Sequence, residues 1–203
     1  AGEQLASLTL ANKSLDPEKY QNVEVGLKWD MRPDLAFTMA VYKQDRKNVA
    51  VNDPTVPGSQ ILIDGQRATG MEIGLAGHLT RQWSIAGGYT YQIGQILQTQ
   101  PVAVGQTPTV QKGATMGQVP ANMFSLWNRY DFTPMWGAGL GMISRSTMFA
   151  ATEDVATPGK NVTLAGYMRF DGAVFFTLNK NFQAQLNIEN LLNKEYFMNA
   201  DNN

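Results

Sequence analysis

The chain has 203 residues and a formal net charge of −1, from 16 basic and 17 acidic residues. This balance gives no electrostatic reason to expect nucleic acid as a partner. Cysteine is absent, which excludes disulfides, thiol catalysis and zinc sites built on cysteine. Residues 1–10 show no signal-peptide pattern, and no run of about 18 apolar residues predicts a membrane-spanning helix.

Apolar and polar residues alternate with a period of two along most of the chain, which predicts β-strands. The clearest stretch is "LAGYMRFDGAVFFTLN" at residues 164–179, and "NVEVGLKWD" at residues 22–30 repeats the pattern. We predict eight strands, at residues 18–30, 34–49, 61–80, 83–97, 121–132, 135–149, 163–179 and 181–191.

The connections between these predicted strands alternate in length. "MRP", "TRQ", "TP" and "NKN" are tight turns, whereas residues 52–60, 98–120 and 150–162 are long and rich in Pro, Gly, Thr and Gln. All the short turns fall at one end of the predicted sheet, as in outer-membrane barrels with short periplasmic turns and long extracellular loops. The pattern predicts an all-β, antiparallel up-and-down transmembrane barrel, with a soluble β-sandwich binding module as a more distant alternative.

Aromatic residues near the strand ends predict two interfacial girdles, because Tyr and Trp favour the membrane interface. One girdle, at the short turns, comprises Trp29, Trp83, Phe132 and Trp136. The other, at the opposite strand ends, comprises Tyr20, Tyr91, Phe149, Tyr196 and Phe197.

Charged residues are predicted to face the barrel interior, because a lipid-facing Arg or Lys near the bilayer midplane costs ~2–4 kcal/mol. The predicted interior set is Glu24, Lys28, Arg46, Glu72, Arg129, Asp131, Arg169, Asp171 and Glu189. Arg129 with Asp131, and Arg169 with Asp171, have the spacing of same-face neighbours and are predicted to pair.

Five segments of the chain resemble TonB-dependent outer-membrane receptors, in the order of that family. They are "LDPEKYQNVEVGLKWD", "GQRATGMEIGLAG", "VPANMFSLWNRYDF", "LAGYMRFDGAVFFTLN" and "NIENLLNKEYF". The last resembles the family's C-terminal signature, whose residues here are Asn187, Asn190, Leu191 and Tyr196. The resemblance is strongest to catecholate siderophore receptors.

This resemblance implies a transporter that binds ferric siderophores at the cell surface and imports them to the periplasm with energy from the TonB complex. The family fold is a 22-stranded barrel with a plug domain inside it. Residues 1–203 are therefore expected to be the C-terminal part of such a barrel, with about eight strands and without the plug, the TonB-binding segment and the final strand.

Further expectations follow from the resemblance. The protein is expected in the bacterial outer membrane, in contact with its lipid, and as a monomer when full-length. No catalytic residues, cofactor or metal ligands are expected, since the ferric siderophore is cargo. Ferric catecholates are anionic and aromatic, so candidate ligand contacts are cations on the outer loops and upper interior, namely Arg67, Lys112, Arg145 and Lys160.

An alternative is a self-contained small outer-membrane barrel with a structural or adhesion role. Eight strands are enough to close a barrel filled with side chains. This alternative differs from the receptor interpretation in requiring that the first and last strands pair with each other.

Overall fold

The computed structural model describes residues 15–200 of the chain. A short 3-10 helix, Pro158–Lys160, lies in this range, and no helix within it is long and apolar enough to cross a membrane. The strands of the same range are, in chain order, β1 (Lys19–Arg32), β2 (Leu35–Lys47), β3 (Val49–Asn52), β4 (Gln60–Ile63), β5 (Gln66–His78), β6 (Trp83–Ile96), β7 (Asn122–Asp131), β8 (Trp136–Arg145), β9 (Met148–Phe149), β10 (Thr163–Leu164), β11 (Tyr167–Asn179) and β12 (Phe182–Ile188).

Eight of these strands form one antiparallel sheet in the order β1, β2, β5, β6, β7, β8, β11, β12. Each strand pairs with the next along this order, so the sheet has the predicted up-and-down arrangement. Two small hairpins, β3 with β4 and β9 with β10, extend from the long-loop end. The eight predicted strands and the all-β class are confirmed.

Several predicted strands are too long, because the alternating pattern continues through a turn into a separate hairpin. The segment 34–49 breaks at Asn48, whose φ of 57° turns the chain between β2 and β3. The segment 61–80 breaks at residues 64–65, where a side chain on Gly65 would collide with Val49. The segments 135–149 and 163–179 likewise divide into β8 with β9 and β10 with β11.

The strand register gives the sheet two chemically different faces. Ala40, Glu72 and Thr90 lie in one row across β2, β5 and β6, and the polar face to which they belong is concave. The predicted interior charges within the strands share this face, whereas Glu189 lies just after the end of β12.

The opposite face is apolar and faces outward. Its exposed residues include Val25, Leu27, Val41 and Leu186. Among residues 15–200 no second sheet packs against it, so the β-sandwich alternative is wrong. An apolar face left open in this way suits lipid.

Three tryptophans confirm the predicted girdle at the short turns. Trp29, Trp83 and Trp136 all lie on the outward face, beside the turns that follow β1, precede β6 and precede β8. This placement suits amphipathic rings at a membrane interface.

The second predicted girdle is only partly correct. Tyr91 lies on the outward face at the long-loop end, in the row of Met71. Tyr20 pairs with Arg46 on the concave face, and Tyr196 stacks on Tyr167 of the same face, so the prediction is wrong for both. Both tyrosines lie near the long-loop end of the sheet, as predicted. Tyr20 faces the concave side because of its strand parity, and Tyr196 does so because the chain reverses after β12.

The main sheet is open. β1 and β12 are its two edges, and no pairing joins them in the part of the chain that the structure describes. Both edge strands are exposed along their whole length. The alternative of a self-contained eight-stranded barrel is therefore wrong for this sheet, because closure would require hydrogen bonds between β1 and β12.

Candidate ligand site on the concave face

Two arginine–aspartate pairs lie on the concave face, as the i and i+2 spacing predicted. In β7, Nε of Arg129 lies 3.0 Å from Oδ1 of Asp131, and the Arg129 guanidinium lies 4.1 Å from the centre of the Phe175 ring. In β11, Nη2 of Arg169 donates to Oδ2 of Asp171 at 2.8 Å. Each pair neutralises two opposite charges within one strand of the concave face.

Two arginines and two tyrosines form a cluster at the long-loop end of this face. Arg145, the last residue of β8, lies with its guanidinium 5.0 Å from the centre of the Tyr167 ring. The Tyr167 ring stacks on Tyr196 with the ring centres 4.2 Å apart. Nη1 of Arg169 donates to the Tyr196 hydroxyl at 3.0 Å. We call Arg145, Tyr167, Arg169 and Tyr196 the upper cluster.

The upper cluster holds the segment after β12 against the wall. Arg145 donates through Nη1 to the carbonyl of Met198 at 2.7 Å and through Nη2 to the carbonyl of Phe197 at 2.9 Å. Its Nε is buried and has no hydrogen-bond partner among residues 15–200. The guanidinium thus uses two of its five donors on this segment, and its Nε is closed off from solvent.

The signature residues build a tight turn that brings Tyr196 back to the wall. Asn190, with φ of 54°, accepts at Oδ1 from the backbone N–H of Lys194 at 2.8 Å and donates from Nδ2 to the Lys194 carbonyl at 3.1 Å. Its own N–H donates to Oδ1 of Asp171 at 2.8 Å. Leu191 follows, with its N–H donating to the Phe170 carbonyl at 2.7 Å. Asparagine suits this position because it tolerates left-handed backbone and bonds locally.

Asn187, the other signature asparagine, lies earlier, in β12 opposite Ala173 on the concave face. It accepts a hydrogen bond from Nε2 of Gln185 at 2.6 Å. Asn187 therefore belongs to the wall, whereas Asn190 belongs to the turn.

A trough of about 440 Å³ runs along the concave face below the upper cluster. Its lining is more apolar than polar, and it carries hydroxyl and aromatic groups together with two charged side chains, the Arg145 guanidinium and the Glu72 carboxylate. The lining includes Thr38, Glu72, Thr90, Ser125, Arg145 and Tyr167. No group of three or more His, Asp or Glu residues among residues 15–200 is arranged to hold a metal ion.

The four predicted ligand contacts lie in three different places. Arg145 lines the trough. Arg67 lies on the outward face and binds the Asp45 carboxylate through Nε at 2.6 Å and Nη2 at 2.9 Å. Lys112 and Lys160 are exposed in the segments 97–121 and 150–162. The structure places only Arg145 on the trough, and ligand contact by any of the four stays a prediction.

Sequence reasoning missed the contact between the two long loops. The Glu153 carboxylate accepts from the backbone N–H of Thr115 at 2.9 Å and from its hydroxyl at 2.8 Å. The Gln118 N–H also donates to the Phe149 carbonyl at 2.8 Å. These hydrogen bonds join the two loops into one structural unit. Neither loop has a periodic sequence pattern that would predict the contact.

Tyr167 was also missed as a site residue. The period-two pattern put Tyr167 on the polar face of β11, which is a signal that was available. Its alignment with Arg145 depends on the register between β8 and β11, which the sequence does not specify.

Comparison with known proteins supports the architecture. Residues 2–191 match the family model described as TonB dependent receptor-like, beta-barrel. The chain is 32% identical over 196 residues to the probable TonB-dependent receptor BfrD of Bordetella pertussis, covering 94% of this chain and 25% of the relative. It is 30% identical over 184 residues to the catecholate siderophore receptor Fiu of Escherichia coli K12, covering 89% of this chain and 22% of the relative.

A solved structure gives the same result. The crystal structure of the siderophore receptor PiuA from Acinetobacter baumannii superimposes with a TM-score of 0.80 at 29% identity, covering 95% of this chain and 27% of that one. The chain thus spans about a quarter of the length of the proteins it matches. It belongs to the TonB-dependent receptor-like β-barrel family, whose members reside in the outer membrane of Gram-negative bacteria.

Proposed function

We propose that this chain is the C-terminal part of the wall of an outer-membrane receptor that imports ferric siderophores into the periplasm. The cargo we propose is a ferric siderophore of the catecholate class, and the TonB complex supplies energy through a part of the receptor outside this chain. The receptor acts as a monomer and catalyses no covalent change. Relatives named as siderophore receptors support this proposal.

The observation that supports a catecholate cargo is the upper cluster above the trough. Ferric catecholate complexes combine negative charge with aromatic rings. A guanidinium next to stacked tyrosines complements both properties, because the cation attracts the anion and the rings stack on aromatic surface. Arg145 and Tyr167 both line the trough.

Iron uptake by a receptor-deletion strain that carries the full-length gene tests the proposal. We expect uptake of labelled iron from a ferric tricatecholate and not from a ferric trihydroxamate. Uptake of neither complex would contradict the transport function, whereas uptake of the trihydroxamate alone would contradict only the catecholate class.

Arg145→Gln tests the role of the cluster in the same strain. We expect uptake at subsaturating ligand to fall about tenfold, as for loss of one charge-assisted contact, while Arg145→Lys retains part of the activity. Arg81→Gln, in the short turn before β6, is the matched control and should leave uptake unchanged. Equal uptake by Arg145→Gln and the parent would exclude Arg145 from ligand binding.

A further inference from the structure

The trough on the concave face crosses the strands, and its floor consists of two neighbouring rows of residues. The strand register aligns these rows between β2 and β11. The row nearer the long-loop end contains Glu72, Thr90, Met123, Arg145 and Tyr167. The row below it contains Thr38, Gly74, Gly88, Ser125 and Ile143.

The two charged residues of the trough lie far apart in the same row. Glu72 is on β5 and Arg145 is on β8, so three strand spacings separate them, which is roughly 14 Å between their Cα atoms. Tyr167 continues the row on the arginine side, with its ring under the guanidinium. The trough therefore has an acidic end at Glu72 and a basic, aromatic end at Arg145.

Neither of these charges is neutralised by a salt bridge among residues 15–200. Arg145 donates to two backbone carbonyls, which carry no net charge, and the nearby arginine–aspartate pair of β11 is neutral. Glu72 is exposed on the concave face, and the adjoining hollow between β1 and β5 adds Glu24 and Lys28. The formal charge is therefore −1 at the acidic end and +1 at the basic end.

The floor between the two ends is uncharged and has mostly short side chains. Gly74 and Gly88 have no side chain, so they leave room for the backbone of a ligand. Thr90 and Ser125 add hydroxyl groups that can donate to or accept from amide groups. An uncharged linker suits this middle part.

A ligand complementary to the whole trough carries an aromatic anion at one end and a cation at the other. We propose that the cargo is a ferric catecholate siderophore whose backbone bears a free ammonium group. A catecholate ring lies at Arg145 and Tyr167, and the ammonium group lies at Glu72. An alkyl amine is protonated at neutral pH, as lysine is, with a pKa of about 10.4. This inference rests on the proposed function and narrows its class of cargo.

Two synthetic ferric tricatecholates that differ in one group test this inference. One ends in a free ammonium group, and the other is its N-acetylated, uncharged form. Quenching of the tryptophan fluorescence of the full-length receptor in detergent measures both dissociation constants. We expect the parent receptor to bind the ammonium form about tenfold more tightly, as for one charge-assisted contact.

Variants of Glu72 assign this preference to its carboxylate. Glu72→Gln should bind the two complexes equally, and its dissociation constant for the acetylated form should stay within about twofold of the parent value, because only the ammonium contact is lost. Glu72→Asp keeps the carboxylate and should retain part of the preference.

Two control variants separate this contact from the general charge of the wall. Glu24→Gln removes the same charge from the same face but outside the trough, and it should keep the preference within about twofold. Arg145→Gln should weaken the binding of both complexes by a similar factor and keep the preference, because it acts at the iron-bound end.

Equal binding of both complexes by the parent receptor, or equal loss of the preference in Glu24→Gln and Glu72→Gln, would overturn the inference. A Glu72→Gln receptor that binds both complexes more weakly but keeps the preference would also overturn it, since the carboxylate would then hold another part of the receptor. Binding of the acetylated complex without any preference would leave the proposed function intact. Failure of the parent receptor to bind either tricatecholate would overturn the catecholate class and this inference together.

Discussion

Single residues explain why the signature after β12 ends in a turn rather than in further strand. Asn190 combines a left-handed backbone conformation with two hydrogen bonds to Lys194, and its N–H is anchored on Asp171. The turn reverses the chain, so that Tyr196 meets Tyr167 and Arg169 on the concave face. The signature therefore links the last strand of the sheet to the upper cluster.

We expect Asn190→Ala to lower the free energy of unfolding of the folded receptor by about 2 kcal/mol, because it removes two hydrogen bonds and disfavours the positive φ. Asn190→Gly loses the same bonds but accepts this φ, so its loss should be smaller by about 1 kcal/mol. Denaturant unfolding in detergent, followed by the mobility difference between folded and unfolded bands, measures both values. Equal stability of the alanine variant and the parent would contradict this role.

At the scale of elements, β7 and β8 pack closely because one large side chain of β7 lies over two glycines of β8. The Trp127 ring lies across Gly139 and Gly141 on the concave face. A Cβ placed on Gly139 would lie 2.5 Å from Cζ2 of Trp127, and one on Gly141 would lie 2.7 Å from Cε3. The repeated glycines of "GAGLG", residues 137–141, therefore serve close packing on a strand.

Gly139→Ala should destabilise the receptor by about 1–3 kcal/mol, because Trp127 must leave its position. Gly159→Ala is the matched control, since nothing lies within 4 Å of a Cβ added at Gly159. Combining Gly139→Ala with Trp127→Leu should recover part of the loss. Thermal unfolding in detergent compares the variants, and a Gly139→Ala protein as stable as the control would show that the tryptophan adapts freely.

The loop between β9 and β10 contains a pH-sensitive turn. Hydrogen bonds from the Thr157 hydroxyl, and from the backbone N–H groups of Thr157 and Ala156, hold the pKa of the Asp154 carboxyl below its usual range. A lowered folded pKa means that the stabilisation is complete above the ordinary aspartate pKa of about 4 and is lost as the pH falls through the lowered value.

Amide hydrogen exchange, corrected for its intrinsic pH dependence, measures this effect. We expect protection of the Ala156 and Thr157 amides to be constant above about pH 4 and to fall below it. Asp154→Asn should remove the pH dependence, because the amide does not titrate in this range. Protection that declines equally in both proteins would contradict the role of the carboxylate.

At the scale of the whole molecule, the open sheet has consequences for how the chain can exist. The edges of β1 and β12 present unpaired backbone groups, and hydrocarbon offers no partner for them. The outward face also exposes apolar side chains along most strands of the main sheet, and water is a poor solvent for them. Neither hydrocarbon nor water is therefore a favourable solvent for the isolated sheet.

We expect the 203-residue chain, expressed alone and transferred to detergent, to give no heat-modifiable monomer, because its edges pair between copies and it aggregates. The full-length receptor under the same conditions is the control and should show the mobility shift. A compact, heat-modifiable monomer of the short chain would contradict this expectation and restore the small-barrel alternative.

The sequence alone determined the eight main strands and their order, and it indicated the face on which most of their residues lie. These properties follow from local chemistry, since a period of two and the length of each connection are legible without knowing any partner strand. The pairing of Arg169 with Asp171 could be predicted for the same reason, because both residues lie on one strand.

The tertiary structure decided which residues of different strands and loops contact one another. Register placed Arg145 next to Tyr167, whereas strand parity put Arg67 on the other face, next to Asp45. A chain reversal at Asn190 brought Tyr196 to the concave face, against the expectation of an interfacial girdle. Such contacts depend on hydrogen-bond register and on positive-φ turns, and a one-residue slip would move every side chain to the opposite face.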